Sequence, residues 1–412
     1  MFLFSLSWRN ILRNYRRSIL TGLSIMFAVA IVIFMWSFIE GEIKAVFDTM
    51  INTSSGHIRV VNTKFLKREK MLPLQENIPD YVAIQEMLAK DPNVKTVTGR
   101  IRFGVLLENN GTTKQSLGFG IEPQKEEQVL KLGKTLVDGR LISQGSEEEV
   151  NIGVQMAKEL GLRVGDILTV VTQTAYGSFS AKNLQIVGIF NYGSPVIDKR
   201  CFFISLPVAQ DLLDISGCVT ELLVMTDKPD QARLEAAKIG EQIALAYPDR
   251  YTVKAWQDQG VLFTFMNLAK YIYMVILGIV LLLSAFTILN TMFMAVLERT
   301  RELGMMKALG LKNGQVVNMM LIESAALGTI ASFLGAIFGT ILSYYMSVRG
   351  MDFTKTVANM ETFPIPNVLY AHFSWSYVLI GFSFGILFSV LAAIPPALRA
   401  AKMEATEALH EI

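Results

Sequence analysis

Apolar residues in this chain are concentrated in four stretches that contain no Asp, Glu, Lys or Arg. These stretches cover residues 19–39, 271–297, 324–348 and 373–398. About 20 helical residues cross the ~30 Å hydrocarbon core of a bilayer, so each stretch is long enough to span a membrane. A helix satisfies its own backbone hydrogen bonds in lipid. The pattern therefore predicts four transmembrane helices rather than four buried helices of a soluble protein.

The first apolar stretch also has features of a secretory signal peptide. Arg13, Arg16 and Arg17 precede it, and residues 28–30 read Ala-Val-Ala, which resembles a cleavage site. However, the apolar run continues to Ile39, where a processed protein would begin with polar sequence. We therefore expect this stretch to be retained as a span.

The long segment between the first two spans, residues 40–270, alternates between strand-like and helix-like patterns. The predicted strands cover 57–61, 94–108, 113–121, 167–171, 184–190, 201–204 and 219–225, and the predicted helices cover 155–160, 207–213 and 230–246. Asn109-Asn110-Gly111 supplies residues that tolerate positive φ in a tight hairpin. The predicted fold class is an α-helical membrane protein with one span before, and three spans after, a large mixed α/β domain outside the cytoplasm.

A helical pattern leads from this domain into the second span. It starts at Gln257, and no proline or strong turn signal interrupts residues 261–297. A helix over 261–297 would reach about 55 Å at 1.5 Å per residue. A kink near Asn267, at the membrane surface, is the alternative, because a short bend leaves little trace in sequence.

Lys and Arg near the spans predict the orientation, because basic residues favour the cytoplasmic side. The flanks at 1–18, 298–323 and 399–412 carry Arg9, Arg13, Arg16, Arg17, Arg299, Arg301, Lys307, Lys312, Arg399 and Lys402. The 349–372 loop carries only Arg349 and Lys355. We expect both termini and the 298–323 loop in the cytoplasm, with 40–270 and the short 349–372 loop on the other side of the membrane.

Composition narrows the chemistry that this chain can perform. Of its 412 residues, 51% are hydrophobic and 18% are charged. The 38 Lys and Arg nearly balance the 36 Asp and Glu, and this near-neutral charge excludes nucleic-acid binding by bulk charge. Two cysteines and three histidines leave no disulfide scaffold or multi-histidine metal centre, and no catalytic motif is visible. We expect no catalytic, cofactor-binding or metal-binding residues. Cys201 and Cys218 are expected either to pair or to stay as two buried thiols.

Two pairs of glycines lie four residues apart in the last two spans. They are Gly335 with Gly339, and Gly381 with Gly385. Small residues at this spacing let helix backbones approach closely in a membrane. The pattern predicts helix packing, either within one chain or between two copies.

The loop 298–323 combines charges with an amphipathic pattern. On a helix, Glu298, Arg301 and Glu302 share one face, and Leu303, Met306 and Leu309 would form an apolar stripe on another. Such a helix can lie at the membrane surface or fit a partner's groove.

Three parts of the chain resemble the FtsX-like permease family, whose members are membrane subunits of MacB-type ABC transporters. The first is the run from Asn290 to Gly310, with Leu-Glu-Arg-Thr-Arg-Glu-Leu-Gly at 297–304 and Lys-Ala-Leu-Gly at 307–310. The second is Pro-Pro-Ala-Leu-Arg-Ala-Ala at 395–401 with Glu-Ala-Leu at 407–409. The third comprises Asp-Gly-Arg at 138–140 and Asn-Ile-Gly at 151–153, which resemble the family's periplasmic core.

The resemblance implies a non-catalytic subunit that relays ATP hydrolysis to motion of the periplasmic domain. The implied partners are a separate cytosolic ATPase dimer, which would hold ATP and Mg²⁺, a second permease copy or paralogue, membrane lipids, and no nucleic acid. The implied ATPase-coupling residues are Glu298, Arg299, Arg301, Glu302, Met305, Met306 and Lys307. Residues 2–15, with Trp8, would form a surface helix. The macrolide exporters carry a fused N-terminal ATPase, whereas this chain starts almost directly with a membrane segment.

Within the family, the chain is most similar to the lipoprotein-releasing permeases of the LolC and LolE branch. Gly-Ile-Glu-Pro at 120–123, Val-Gly-Ile-Phe at 187–190 and Ala-Gln-Asp-Leu-Leu at 209–213 carry that similarity. It implies an inner-membrane protein that releases lipoproteins or other amphiphiles, with a periplasmic chaperone or adaptor as a further partner. The hook of the chaperone-recruiting permease corresponds to residues 174–181, which are short and lack proline. The chain departs here from the recruiting subunit and fits either its non-recruiting partner or an exporter that feeds another periplasmic component. MacB-type efflux of drugs, peptides or toxins, and FtsX-like signalling to a cell-wall hydrolase, are the alternatives.

Overall fold

A computed structural model describes residues 15–109, 111–146, 148–258, 260–298, 300–357 and 365–402. Its α-helices are α1 (Tyr15–Met50), α2 (Thr63–Lys67), α3 (Tyr81–Leu88), α4 (Pro123–Leu130), α5 (Val154–Leu160), α6 (Pro195–Arg200), α7 (Leu206–Leu213), α8 (Ala232–Ala246), α9 (Gly260–Glu298), α10 (Thr300–Ala308), α11 (Asn313–Arg349), α12 (Thr354–Val357) and α13 (Trp375–Lys402). Its strands are β1 (Ile58–Asn62), β2 (Val94–Asn109), β3 (Thr112–Ile121), β4 (Leu136–Gly139), β5 (Glu149–Gly153), β6 (Ile167–Gln173), β7 (Phe179–Phe190), β8 (Cys201–Ser205), β9 (Glu221–Thr226), β10 (Tyr251–Ala255), β11 (Met351–Asp352) and β12 (Val368–Leu369).

The chain divides into two compact units. The helical unit comprises Met1–Ile43, Met266–Met351 and Leu369–Ile412, and the α/β unit comprises Lys44–Phe265 and Asp352–Val368. The segment Asp352–Val368, between α11 and α13, thus belongs with the sheet: the main-chain N–H of Asn367 donates to the carbonyl of Gly193 at 2.6 Å.

A ten-stranded sheet forms the α/β unit. Its order is β10-β1-β9-β2-β3-β8-β5-β7-β4, and β6 pairs with both β2 and β7. The predicted hairpin is confirmed, because β2 and β3 pair antiparallel up to Asn109 and Thr112, and Gly111 in the turn has φ +80°. The helix expected over 155–160 is also confirmed, and Gly161 ends it at φ +67°.

Several predicted boundaries in this unit are wrong. The largest difference is at β7, which begins at Phe179 rather than at Leu184. Strand β9 begins at Glu221 rather than at Val219, because Val219 instead forms an isolated bridge with Ile78. The long helix was expected to start at Gln257, but Trp256–Asp258 forms a 3-10 turn and α9 begins at Gly260. From there to Glu298 the helix is continuous.

Buried ion pairs accompany the apolar core of this sheet. Arg100 and Glu126 are fully buried and paired with each other. Nearby, Glu221 is fully buried and accepts a hydrogen bond from Arg59 Nε at 2.6 Å. A buried charge without a partner is strongly destabilising, so each of these residues constrains the position of its partner.

Four helices in the described residues are long and apolar enough to cross a membrane. They cover Ser18–Ser55, Leu268–Glu298, Asn313–Arg349 and Trp375–Lys402. One precedes the sheet in the chain and three follow it. Each helix extends beyond the uncharged stretch that predicted it. For example, α11 begins at Asn313, so that Glu323 lies inside this helix and is buried.

The two cysteines do not form a disulfide. Cys201 is buried at the start of β8, whereas Cys218 is half-buried and both thiols are free. The expectation of a pair is therefore wrong, and so is the alternative of two buried strand thiols, because Cys218 lies in the turn before β9. Burial raises the pKa of Cys201 to about 12.

Candidate functional site

Helix α10 occupies the segment that the sequence marked as most distinctive. The Thr300 hydroxyl donates to the carbonyl oxygens of Val296 and Leu297 at 3.1 and 3.0 Å, in the last turn of α9. At the other end, Gly310 has φ +99°, and the N–H of Leu311 returns to the carbonyl of Met306 at 3.1 Å. A glycine that adopts positive φ is the usual residue after a helix end, so the sequence Ala-Leu-Gly-Leu ends α10 here.

One face of α10 is buried and the other is exposed. Thr300 and Gly304 are buried and Lys307 is half-buried, at the i, i+4, i+7 spacing of a single helix face. Arg301, Met305 and Ala308 form the opposite, exposed face. We call the exposed set Glu298, Arg301, Met305, Ala308 and Leu309 the outer face.

The predicted apolar stripe of Leu303, Met306 and Leu309 is wrong in part. Leu309 lies beyond the end of α10 and is 89% exposed. Met306 instead packs against an apolar core between α9, α11 and α13. The side chain of Leu303 lies outside the described residues. The buried face of α10 contains Gly304, which the apolar pattern did not mark.

The Lys307 side chain connects α10 to the end of α13. Its Nζ donates to the main-chain carbonyl of Ala401 at 2.8 Å. Around this bond, a core of Val296, Val316, Met319, Met320, Ala397, Ala400 and Ala401 joins α9, α11 and α13.

The structure separates the predicted coupling residues into three groups. Glu298, Arg301 and Met305 lie on the outer face, and Glu302, Met306 and Lys307 are half-buried. Arg299, the predicted surface helix up to residue 14, and the tail from 403 lie outside the described residues.

Both glycine pairs lie against α1 in the same chain. A Cβ atom at Gly335 would lie 2.5 Å from the Met26 carbonyl oxygen, and one at Gly339 would lie 3.0 Å from that of Ala30. A Cβ at Gly381 would lie 2.5 Å from Ile33 Cγ1, and one at Gly385 would overlap the Ser332 hydroxyl. These glycines therefore create the groove that α1 occupies.

The loop between β6 and β7, together with the first residue of β7, presents two exposed aromatic residues. Tyr176 and Phe179 are 78% and 81% exposed. The base of the loop is fixed, because Gln75 Nε2 donates to the carbonyl of Ala175 at 2.6 Å. Large exposed aromatic residues are typical of protein contact surfaces.

The described residues contain no cluster of three or more His, Cys, Asp or Glu that could hold a metal ion.

Two family models match this chain. The model of the MacB-like periplasmic core domain matches residues 18–242, which is more than half of the chain, and the FtsX-like permease C-terminal model matches residues 274–405. The chain is an ABC transporter permease of the FtsX-like and MacB-like family. The predicted resemblance is thus confirmed, and α10 lies within the FtsX-like part of this permease. Subunits of this family are generally non-catalytic.

Relatives of this permease include lipoprotein-releasing proteins. A LolC of Xylella fastidiosa is 23% identical, with 78% of each chain covered, and a LolE of Haemophilus influenzae is 22% identical, with 79% of this chain and 80% of the relative covered. An uncharacterized ABC transporter permease of Methanocaldococcus jannaschii is 22% identical and is matched over 99% of this chain. Among solved structures, the periplasmic region of MacB from Actinobacillus actinomycetemcomitans matches half of this chain and 92% of its own, with 11% identity and a TM-score of 0.37.

Proposed function

We propose that this permease extracts lipoproteins or similar amphiphiles from the inner membrane. The observation that carries the proposal is the similarity to LolC and LolE, proteins named for lipoprotein release, over about four-fifths of each chain. The family assignment supports a transport role without fixing the cargo. The cargo is therefore the part of the proposal that the experiment below must test.

The outer face of α10 is the proposed contact for a cytosolic ATPase dimer. It combines the charges of Glu298 and Arg301 with the flexible side chain of Met305, and methionine adapts well to a partner's groove. The bond from Lys307 to Ala401 then gives force applied to α10 a direct route into α13. In this arrangement the N and C termini are cytoplasmic and the α/β unit is periplasmic.

The full transporter would contain two permease subunits and two ATPase subunits, with ATP and Mg²⁺ held by the ATPase. Because the glycine pairs already contact α1 of the same chain, a second permease would use other surfaces. The exposed loop carrying Tyr176 and Phe179 is the proposed contact for a periplasmic chaperone or adaptor.

Efflux of drugs, peptides or toxins is the second candidate, and the match to the MacB-like core favours it. Signalling to a cell-wall hydrolase is a third possibility within the same family. All three functions use the same relay from the ATPase, so they differ only in what the periplasmic unit acts on.

The test begins with purification of the tagged full-length protein in mild detergent, followed by identification of what co-purifies. A cytosolic ATPase together with bound lipoprotein supports release, an ATPase with an envelope adaptor supports efflux, and an ATPase with a hydrolase supports signalling. The complex is then reconstituted in liposomes that contain a labelled lipoprotein. ATP-dependent appearance of the label in the soluble fraction, absent for the same cargo without its acyl chains, is the expected result. Purification without any ATPase would overturn the proposal.

A further inference from the structure

An apolar cleft of about 310 Å³ lies within the helical unit, between the first three turns of α1 and the middle of α11. Its walls are large apolar side chains, namely Ile19, Leu23, Met26, Leu327, Ile330 and Leu334. The polar lining residues, Tyr15 and Ser18, both lie at the end where α1 begins. The cleft is therefore an apolar channel with one polar end.

The cleft is present because α1 and α11 diverge towards the start of α1. At Gly335 an added Cβ would lie 2.5 Å from the Met26 carbonyl oxygen, so the two main chains touch there. About one turn closer to the start of α1, a Cβ at Gly22 would lie 3.9 Å from Cβ of Ala331, which is ordinary contact. Glycine and alanine do not fill the space that opens, and Ile19 remains 55% exposed along its rim.

The dimensions of the cleft match a single hydrocarbon chain. From Tyr15 to Met26, α1 rises about 17 Å, so a volume of 310 Å³ corresponds to a mean cross-section of about 18 Å². Apolar carbon atoms in contact lie about 4.0–4.5 Å apart, so one extended chain needs about 16–20 Å². A helix about 10 Å across needs roughly 80 Å². The cleft therefore admits one acyl chain but not a transmembrane helix of a second copy.

A positive charge lies at the polar end of the cleft. Arg16 Nε donates to the Tyr15 hydroxyl at 3.2 Å, and the Arg16 guanidinium lies 5.9 Å from the centroid of the Tyr15 ring. Because Tyr15 lines the cleft, these contacts keep the guanidinium beside its polar end. Arg16 also precedes the candidate span Ser18–Ser55 by two residues, which is where basic residues and lipid headgroups are expected to meet.

We propose that this cleft binds one acyl chain of an anionic phospholipid whose headgroup contacts Arg16. Each methylene group that enters an apolar environment favours binding, and a guanidinium matches the oxygens of a phosphate group. A zwitterionic phospholipid has the same acyl chains but no net negative charge, so Arg16 should select the anionic lipid. In the proposed orientation of the spans, this site lies in the cytoplasmic leaflet.

The test is native mass spectrometry of the full-length protein, delipidated in a non-ionic detergent. The probes are dioleoyl phosphatidylglycerol and dioleoyl phosphatidylcholine, which have identical acyl chains. We expect one tightly bound phosphatidylglycerol per chain, with about tenfold higher affinity than phosphatidylcholine, because only the anionic headgroup leaves its attraction to Arg16 uncancelled. Arg16→Gln should lower the affinity for phosphatidylglycerol to that for phosphatidylcholine. Arg399→Gln, which changes an exposed arginine near the end of α13, is the control and should leave both affinities unchanged.

Filling the cleft provides an independent variant. Gly22→Leu places a side chain in the cleft, and we expect it to abolish tight binding of both lipids. Gly278→Leu makes the same substitution in α9, where a Cβ meets nothing within 4 Å, and should bind like the wild type. Thermal unfolding in detergent verifies that each variant is folded.

Four results would overturn the proposal. The first is equal affinity of the wild type for the two lipids, or no tight binding of either. The second is unchanged affinity in the folded Arg16 and Gly22 variants. The third is tight binding that appears only after deletion of residues 2–14, which would identify that segment as the occupant of the cleft. The fourth is a dimer of chains that Gly22→Leu dissociates, which would identify a second copy as the occupant.

Discussion

The guanidinium of Arg100 donates a hydrogen bond to the main-chain carbonyl of Thr53, with 2.6 Å between Nη1 and the oxygen. Thr53 belongs to the π-helical turn Ile51–Ser55 that follows α1, and Arg100 lies in the middle of β2. The same guanidinium pairs with Glu126 in α4. One buried side chain thus joins the end of α1, the sheet and a covering helix.

Removing either charge of this buried pair should destabilise the α/β unit strongly. We expect Arg100→Ala and Glu126→Ala each to cost about 3–5 kcal/mol, because each leaves an uncompensated buried charge. Thermal unfolding in detergent measures the loss. The exposed pair of Arg233 and Asp258 is the control, and Arg233→Ala should cost less than about 1 kcal/mol. A double variant, Arg100→Met with Glu126→Leu, should recover much of the stability, and a double variant no better than the singles would contradict this account.

Enlarging the glycines of the α1 groove should disrupt the helical unit. At Gly385, even a Cβ would overlap the Ser332 hydroxyl and Val29, so we expect Gly385→Leu to cost about 1–3 kcal/mol or more through overpacking. The control is Gly278→Leu in α9, where a Cβ meets nothing within 4 Å. Thermal stability in detergent and the monodisperse fraction on size exclusion give the comparison. Equal behaviour of the two variants would show that the groove does not constrain packing.

Reversing two charges in the coupling segment should uncouple the permease from its ATPase. We expect Glu298→Lys combined with Glu302→Lys to leave membrane insertion intact and to abolish stimulation of ATP hydrolysis, because the proposed partner surface then faces two reversed charges. ATPase assays on the co-reconstituted complex measure the effect. Glu86→Lys combined with Glu241→Lys makes the same charge change on exposed residues of the α/β unit and should leave stimulation intact. Normal stimulation by the 298/302 variant would refute the coupling role.

The buried carboxyl group of Asp198 should make stability depend on pH. Burial raises its pKa to about 6, although the main-chain N–H groups of Tyr192 and Gly193 donate to its oxygens at 2.7 and 3.1 Å. The folded state therefore holds the proton more tightly than the unfolded state, whose pKa is about 3.9. The contribution of Asp198 to stability is fully present below pH 3.9 and is lost as pH rises to 6. The free energy of unfolding falls by about 2–3 kcal/mol over this range.

Comparison of the wild type with Asp198→Asn isolates this effect. The melting temperature of the wild type should fall relative to that of the variant as pH rises from 4 to 6.5. Glu149 provides a control of opposite sign, because hydrogen bonding from Arg140 lowers its pKa to about 2. The advantage of the wild type over Glu149→Gln should hold above pH 4.5 and disappear as pH falls towards 2. A constant difference between the wild type and Asp198→Asn across this range would argue against a raised pKa.

The two free thiols should differ in reactivity. Cys201 is buried with a pKa of about 12, whereas Cys218 is half-buried. Since the thiolate is the reactive form, a maleimide should add one label to the native protein and two after denaturation. Mass spectrometry gives the count. Cys218→Ser should abolish maleimide labelling of the native protein, and Cys201→Ser should leave it unchanged. A wild-type protein that takes no label before reduction and two labels after reduction would instead contain a disulfide.

Periodicity in the sequence predicted much of this fold because the relevant signals are local. The hairpin of β2 and β3 is encoded by two alternating runs and a glycine at positive φ, and four long uncharged stretches account for the four long helices. The order of the strands is a different matter. In the sheet, β1 lies between β9 and β10, and both are far from β1 in the sequence. Local patterns carry no information about such pairings.

At the candidate site the sequence predicted a helix, which the structure contains, but not the packing of that helix. The sequence predicted a helix with an apolar stripe of Leu303, Met306 and Leu309 for the membrane surface or a partner, and it did not predict which face packs inward. The structure places Gly304 on the inward face, and Lys307 reaches Ala401 near the far end of the chain. A contact between residues so distant in sequence leaves no periodic trace. The i, i+4 spacing of Thr300 and Gly304, two small residues, was the available signal.

The contact between α11 and α13 restricts how force can pass through the helical unit. The Ser324 hydroxyl donates to the carbonyl of Ser389 at 2.6 Å, a Cβ at Gly328 would lie 2.6 Å from that of Ser389, and Gly385 faces Ser332. If the two helices slid along each other by one turn, Ser332 and Ser389 would leave the spaces opposite the glycines and would collide with other side chains. The two helices are therefore sterically interlocked. We expect a displacement imposed at Ala401 to move both of them together as one rigid body.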